Sequence, residues 1–306
     1  MTAAPSPVPS LIAIDWGTTN RRGYLLNHEG IILDSYFDGD GLTNIRDEAY
    51  QASLKILAAP WVAQWGSLPI LMSGMIGAST GWVDAGYCPV PVGIQELSEN
   101  LVRVPGNETI WIVPGVSTLD KAGIPDVIRG EEVQSLSVSG KHNDAVVITP
   151  GTHSKWVRVE GQRITWFTTF LTGDLFDAIL NHTVISVLQR PGDMGGEEAF
   201  CRGVEIGFAE HANLMHVLFG ARTNVLFNKL LPEEVSHYLS GLLIGAEIAT
   251  GVSIIGNGDT ALILLGSDNL TQRYQLAFAT CGINVDIANL DSVSATYLKI
   301  SRLAGL

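Results

Sequence analysis

One pattern occurs twice in this 306-residue chain, and it restricts the fold more than any other feature. Leu11-Ile12-Ala13-Ile14 is a short apolar run of β-formers that ends at Asp15. Gly17-Thr18-Thr19-Asn20 is turn chemistry, and Gly23-Tyr24-Leu25-Leu26 resumes strand character. Asn27-His28-Glu29-Gly30 reads as a hairpin turn, after which Ile31-Ile32-Leu33 opens a third strand. The same order returns later: a strand from Asp144 to Thr149, the turn Pro150-Gly151-Thr152-His153-Ser154-Lys155, and a strand from Trp156 to Val159. The turn Glu160-Gly161-Gln162 and a strand from Ile164 to Phe167 complete it. A Gly-Thr pair falls at the same place in both copies. Two meanders of equal design predict an internal duplication, one copy per lobe.

Helical sequence follows each meander. After the first come a polar helix from Asn44 to Ala58 and a buried strand from Pro69 to Ser73, which runs into the loop Gly74-Met75-Ile76-Gly77. A strand from Thr109 to Val113 and a helix from Asp126 to Ser137 come next, the helix with an acidic start that suits its dipole. After the second meander the helices are Gly173–Leu180, Glu197–His211, Leu214–Leu230 and Pro232–Ala249. A strand from Ala261 to Leu265, a helix around Leu270–Ala279 and a terminal helix from Ser292 to Leu303 close the chain. Strands first and helices later, twice over, predict an α/β protein of two duplicated lobes with mixed sheets flanking a cleft. The expected divisions are a disordered tail at 1–10, an N-terminal lobe at 11–125 and a C-terminal lobe at 126–306.

Composition removes several classes. Hydrophobic residues make up 46% of the chain, enough for a core. The formal net charge of −13 repels phosphate backbones, so nucleic acid is not an expected partner, and an anionic substrate needs local cations. Cys88, Cys201 and Cys281 are scattered without a C-x-x-C, which argues against structural zinc or a disulfide framework and for a reducing cytoplasm. The Ala/Pro/Ser-rich start lacks the basic and apolar regions of a signal peptide. Leu239 to Gly256 has a membrane-like composition, but Glu247 and several glycines interrupt it; a buried helix is expected, and no membrane partner. Neither G-x-x-x-x-G-K-[ST] nor H-E-x-x-H occurs.

Backbone N–H groups in Gly-Thr turns form anion-binding nests, to which the hydroxyls add donors. A polyphosphate held between two such turns is the natural ligand, and a carboxylate at Asp15 would hold Mg²⁺, often through water. At these residues the chain resembles a known superfamily. Ile14 to Asn20 is similar to the first phosphate loop of the acetate/sugar kinase, Hsp70 and actin superfamily, and Pro150 to Trp156 to its second. Leu264 to Leu270 lies where the adenosine loop belongs, with one glycine where the superfamily often has two. Within the superfamily the chain resembles the 2-dehydro-3-deoxygalactonokinases. That resemblance rests on Ser73–Gly77 with Gly81-Trp82, Asp126–Glu132, Pro150–Trp156, Leu171–Leu175 and Tyr238–Gly245, and runs from about Leu11 to Gly282.

The resemblance implies RNase H-like (actin-like ATPase) lobes and transfer of the ATP γ-phosphate, with Mg²⁺, to the 6-hydroxyl of 2-dehydro-3-deoxy-D-galactonate. It implies phosphate contacts from Gly17, Thr18, Thr19, Asn20, Gly151, Thr152, His153 and Lys155, adenosine contacts from Gly266 and Ser267, and metal contact from Asp15. In superfamily sugar kinases the catalytic aspartate starts a helix shortly before the second phosphate loop. Asp126 matches that place, with Glu131 and Glu132 one turn on as further candidates. A 2-keto acid carboxylate calls for a cation, and Arg129 is the first choice because a guanidinium grips carboxylates in a bidentate way. Ser73, Gly74, Met75, Gly77 and Trp82 would shape the sugar-acid pocket. The family pattern departs at Arg21-Arg22, where either arginine could be the relevant one. A kinase for another sugar or sugar acid and a non-kinase ATP-binding regulator are the alternative functions, and a homodimer is left open.

Overall fold

The computed structural model describes residues 8–46, 49–138, 142–192, 196–256, 260–289 and 292–306. The chain divides into two compact units. The first comprises Met1–Asp144, Val157–Phe167 and Asn289–Leu306, the second Ala145–Trp156 and Thr168–Ala288. The boundary expected at 125/126 does not coincide with this division: residues 126–144 and the terminal segment both belong to the first unit.

In chain order the first unit begins with β1 (Pro9–Trp16), β2 (Arg21–Asn27), β3 (Ile32–Asp38), α1 (Tyr50–Trp65) and β4 (Ile70–Ser73). β5 (Tyr87–Pro89), β6 (Val92–Gly93), α2 (Ile94–Glu99), β7 (Val102–Arg103) and β8 (Ile110–Ile112) follow. β9 (Gly115–Leu119), β10 (Pro125–Ile128) and α3 (Glu131–Ser137) come next. Most of the expected tail, residues 1–7, lies outside the described residues, but Pro9 and Ser10 already belong to β1. Proline is tolerated there because it opens the strand, beside a register shift between Pro9 and Leu11.

The main sheet has the order β3-β2-β1-β4-β8-β7. β1 runs antiparallel to β2 and parallel to β4. Its core is built by Ile12, Ile14 and Trp16 against Leu54, Leu57, Ala58 and Trp61 of α1. Those α1 residues recur at helical spacing and form one apolar stripe. The helix starts at Tyr50 rather than the expected Asn44 because the chain before it is otherwise engaged: Leu42 N donates to Gly17 O at 3.0 Å and Thr43 N to Thr18 O at 3.0 Å.

The second meander is β11 (Asp144–Thr149), β12 (Ser154–Glu160) and β13 (Arg163–Phe170), and β12 and β13 each pass from one unit into the other. α4 (Thr172–His182), α5 (Gly196–Ala209), α6 (Leu214–Val217), α7 (Gly220–Leu226) and α8 (Val235–Ile255) follow, then β14 (Ala261–Leu264), α9 (Asp268–Thr280) and β15 (Asp286–Ile287). The strand order β13-β12-β11-β14-β15 repeats β3-β2-β1-β4-β8 place by place, which is the duplication expected from the sequence. The single helix expected over 214–230 is instead α6 and α7. Three-residue bonds from Phe219 N to His216 O and from Arg222 N to Phe219 O tighten the chain between them.

α5 and α8 cross at glycines on both helices, and α8 is the long apolar segment of the sequence. A Cβ on Gly241 would lie 2.1 Å from Phe200 O, and one on Gly207 2.1 Å from Leu242 O. The backbones therefore touch, and most of α8 is buried. The last helix, α10 (Val293–Leu303), belongs to the first unit, where it packs on α2 and α3.

Candidate active site

The first Gly-Thr turn is closed on itself and clamped from outside. Gly17 N donates to Asn20 O at 2.9 Å, and Gly41 N donates to Thr19 O at 3.2 Å. A Cβ on Gly41 would sit 2.2 Å from the Thr19 carbonyl carbon, so glycine is the residue that permits this clamp. Thr18, Thr19 and Asn20 remain exposed at its tip.

The two arginines after the turn have different fates. Arg21 is 1% exposed; it pairs with Asp38 at 2.6 Å, donates to Ser53 Oγ at 2.8 Å and lies 4.6 Å from the Trp16 ring centroid. It is a structural brace. Arg22 is half-buried and stands opposite Asp15 in the β1–β2 register. Burial raises the Asp15 pKa, and the charge of Arg22 and a hydrogen bond from Gln134 work against it.

Asp15 lies level with Ser73 on β4, and its carboxylate faces Gln134 of α3. Two glycines with positive φ make this possible. Gly74 has φ 90°, and a Cβ there would meet Trp16 O at 2.6 Å and Asp15 Oδ1 at 3.3 Å. Gly130 has φ 104°, and its Cβ would lie 3.3 Å from Gly74 Cα and 3.7 Å from Asp15 Oδ1. Both positions favour glycine on conformation and on space. Gln134 Nε2 then reaches Asp15 Oδ2 at 3.2 Å. Tyr297, from α10, shares a 2.5 Å hydrogen bond with Ser73 Oγ beneath the cluster.

The acidic start of α3 is Glu131-Glu132, not Asp126. Asp126 lies in β10, paired with Thr118 of β9, and its carboxylate accepts from Val127 N at 2.7 Å. The expected helix over 126–137 gives way because residues 125–128 find ladder partners at 116–119, and Gly130 then turns the chain into α3. Glu131 is half-buried and accepts from Arg129 N at 3.0 Å. Glu132 is fully buried and accepts from Gly130 N at 2.6 Å, and its Oε1 has no hydrogen-bond partner among the described residues. Burial first, and the Glu131 charge second, push its pKa up to about 8. A raised folded-state pKa favours the protonated form. Its contribution to stability is therefore complete below the ordinary carboxylate range and is lost as pH climbs to about 8. Glu132→Gln, which cannot ionise, is expected to flatten that decline in denaturant unfolding measured between pH 5 and 8.

Arg129 is 8% exposed. Nη2 donates to Gly86 O at 2.9 Å, and the guanidinium lies 4.4 Å from the Tyr87 ring centroid, while Nε and Nη1 have no hydrogen-bond partner among the described residues. A Cβ on Gly77 would come within 2.9 Å of Nη1, so Gly77 makes room for the guanidinium. Met75 lies in the short 3-10 turn that links Gly74 to Gly77. Trp82 stacks on Tyr50 with centroids 6.4 Å apart and packs against the core of the first unit.

The second Gly-Thr turn is docked on the start of α4. Asp174 N donates to Thr152 O at 3.0 Å, and a Cβ on Gly173 would meet Gly151 O at 2.6 Å. The exposed His153 Nε2 lies 2.6 Å from Asp174 Oδ2. Lys155 is buried and makes no ion pair among the described residues. Beside Gly151 opens a cavity of about 290 Å³, lined among others by Thr172, Phe176, Ser240, Leu270 and Arg273. Gly266 lies next to Pro150 of the turn, and Ser267 immediately precedes α9, which supplies Leu270, Arg273 and Tyr274 to the cavity. The α8 contributions, Ser236, His237 and Ser240, were not among the expected site residues; two serines one turn apart at the start of the helix were the available signal.

A repeated sheet order with a Gly-Thr turn in each unit defines the class: the fold is that of the actin-like ATPases. The activator of 2-hydroxyisocaproyl-CoA dehydratase from Clostridium difficile shares it at TM-score 0.50 and 10% identity, over 96% of each chain. The sequence model of the 2-keto-3-deoxy-galactonokinase family matches residues 15–299. The 2-dehydro-3-deoxygalactonokinase of Escherichia coli strain K12 is 35% identical over 274 residues, 90% of this chain and 91% of that protein. A Sinorhizobium meliloti crystal structure carrying the same enzyme name superposes at TM-score 0.80 and 32% identity, covering 95% of this chain and 98% of that one. The chain belongs to the 2-keto-3-deoxy-galactonokinase family. It is a kinase, a phosphotransferase with an alcohol acceptor.

Proposed function

We propose that the chain transfers the γ-phosphate of ATP to the 6-hydroxyl of 2-dehydro-3-deoxy-D-galactonate. The observation that carries the substrate class is Arg129, a buried guanidinium beside the Gly74–Gly77 loop with two nitrogens that have no hydrogen-bond partner among the described residues. Leaving buried donors unpaired is costly, and a carboxylate satisfies them with charge-assisted bonds. The sugar-acid carboxylate binds there, with Ser73, Gly74, Met75 and Gly77 forming the wall around it.

Phosphoryl transfer requires positioning and charge neutralisation more than covalent chemistry. Glu131 takes the role of base in place of Asp126: it starts the helix, it is half-buried rather than sealed, and Arg129 N holds its carboxylate. It accepts the proton of the attacking hydroxyl as the oxygen–phosphorus bond forms and the bond to the ADP leaving oxygen breaks. Gly17, Thr18, Thr19 and Asn20, with Gly151, Thr152, His153 and Lys155, serve the phosphates. The nucleoside occupies the 290 Å³ cavity between α4, α8 and α9, with Gly266 and Ser267 at its edge. Asp15 is a half-buried carboxylate, as suits Mg²⁺ held by one or two carboxylates together with phosphate and water. Mg²⁺ bound there would neutralise charge on the β- and γ-phosphates. Three free cysteines accord with a cytoplasmic setting.

The test is ADP release with Mg²⁺ and ATP against the galactonate compound, its gluconate epimer and neutral hexoses. Turnover with the galactonate compound alone is expected; turnover only with a neutral hexose would overturn the acceptor. Arg129→Ala is expected to raise KM for the sugar acid about 30-fold or more, the scale of truncating one partner of a buried charge pair. KM for ATP should stay unchanged.

A further inference from the structure

Glu247 is a carboxylate in the middle of an apolar helix, where packing alone calls for none. It is 3% exposed and accepts four hydrogen bonds. Ser154 Oγ at 2.6 Å and Trp156 Nε1 at 2.8 Å donate to Oε1. Thr172 Oγ1 at 2.5 Å and Tyr274 OH at 2.7 Å donate to Oε2. The donors come from three different elements. Ser154 and Trp156 stand on β12, directly after the second Gly-Thr turn; Thr172 opens α4; Tyr274 lies on α9. Thr172 and Tyr274 also line the cavity beside Gly151.

We propose that Glu247, on α8, is a positioning residue for the nucleotide, joining the second Gly-Thr turn to α4 and α9, the other two helices that wall the nucleoside cavity. The proposal rests on the assignment of that cavity to the nucleotide. Burying a carboxylate is expensive, and the expense is offset only when all its lone pairs are used. A fully satisfied buried network holds its members in one arrangement, here the strand after the turn and the α4 and α9 walls of the cavity. Burial raises the Glu247 pKa and the four donors oppose it, which agrees with a group held in place by its partners.

Glu247→Gln separates these roles. The amide oxygen can keep Ser154 and Trp156, while the amide nitrogen faces the Thr172 and Tyr274 hydroxyls that line the cavity. Ser154→Ala removes one donor to Glu247 at a buried residue that does not line the cavity. ADP binding by calorimetry is expected to weaken about 10- to 100-fold in Glu247→Gln, the scale of an ångström of misplacement, and less in Ser154→Ala. KM for ATP should rise in parallel, with KM for the sugar acid unchanged. A folded Glu247→Gln or Ser154→Ala that binds ADP as the unaltered chain does overturns the proposal. Equal losses for ATP and sugar acid in either variant also overturn it, since they mark a general structural role. Should Glu247→Gln fail to fold, Ser154→Ala decides by the same criteria. If the unaltered chain does not bind ADP, the cavity assignment falls and this proposal with it.

Discussion

Glu131→Gln is expected to lower kcat about 10²- to 10⁴-fold, the usual contribution of a positioned general base. The amide is isosteric, and its oxygen can still accept from Arg129 N, which Glu131 does now at 3.0 Å. The start of α3 and the position of Arg129 should therefore survive, and KM for both substrates should change little. Such a loss, confined to kcat, marks an interaction made in the transition state. Glu132→Gln is the informative neighbour. With its pKa near 8, Glu132 is largely protonated at neutral pH, so an amide in its place should keep turnover within a few-fold. Asp126→Asn should be near normal, because Asp126 sits in β10 and hydrogen-bonds its neighbour's backbone. Steady-state ADP release at saturating substrates decides among the three. An active Glu131→Gln beside an inactive Glu132→Gln or Asp126→Asn would transfer the role.

The second large effect concerns folding. Gly207→Ala and Gly241→Ala each place a methyl 2.1 Å from a backbone oxygen of the facing helix. A side chain could rotate away from such a contact, but a helix backbone cannot, so α5 and α8 must move apart. That separation loosens Phe200, Val204 and Ile248 in one core cluster and Leu239 and Leu242 in the other. Overpacking of one methyl typically costs about 1–3 kcal/mol, and a backbone contact belongs at the upper end. Each variant should lower the thermal midpoint by several degrees and the double variant more. Gly39→Ala, with nothing within 4 Å and no positive φ, is the control and should shift it little. Midpoints for Gly207→Ala and Gly241→Ala within error of the control would show that the helices do not meet as described.

Much of the fold and part of the candidate site were legible because they are local. Turn chemistry at Gly17–Asn20 and Gly151–Ser154, with β-formers on either side, specifies a meander whatever lies elsewhere, and its recurrence implied the duplication that the matching sheet orders display. Asp15 at the end of a strand, Arg129 as a cation beside Glu131 and Glu132, and the Gly74–Gly77 loop were recognisable from residue type and order. Arg21 and Arg22 could not be told apart by composition. Strand alternation sends one guanidinium onto Trp16 and Asp38 and sets the other opposite Asp15.

Contacts distant in sequence decided the rest. Residues 125–128 have an acidic helix-start pattern, yet they are a strand because residues 116–119 offer a ladder, and no local propensity encodes that partner. The C-terminal helix delivers Tyr297 to Ser73 across more than two hundred residues. Glu247 looked like a blemish in an apolar stretch; only the meeting of β12, α4 and α9 supplies its four donors. The glycines of α5 and α8 are helix-weakening by propensity and became the contact surface only when the other helix was present. Sequence by itself determined the elements whose energy is local: turns, strand runs and apolar stripes. Tertiary structure decided which polar groups are paired, because burial and hydrogen bonding between distant segments set that energy.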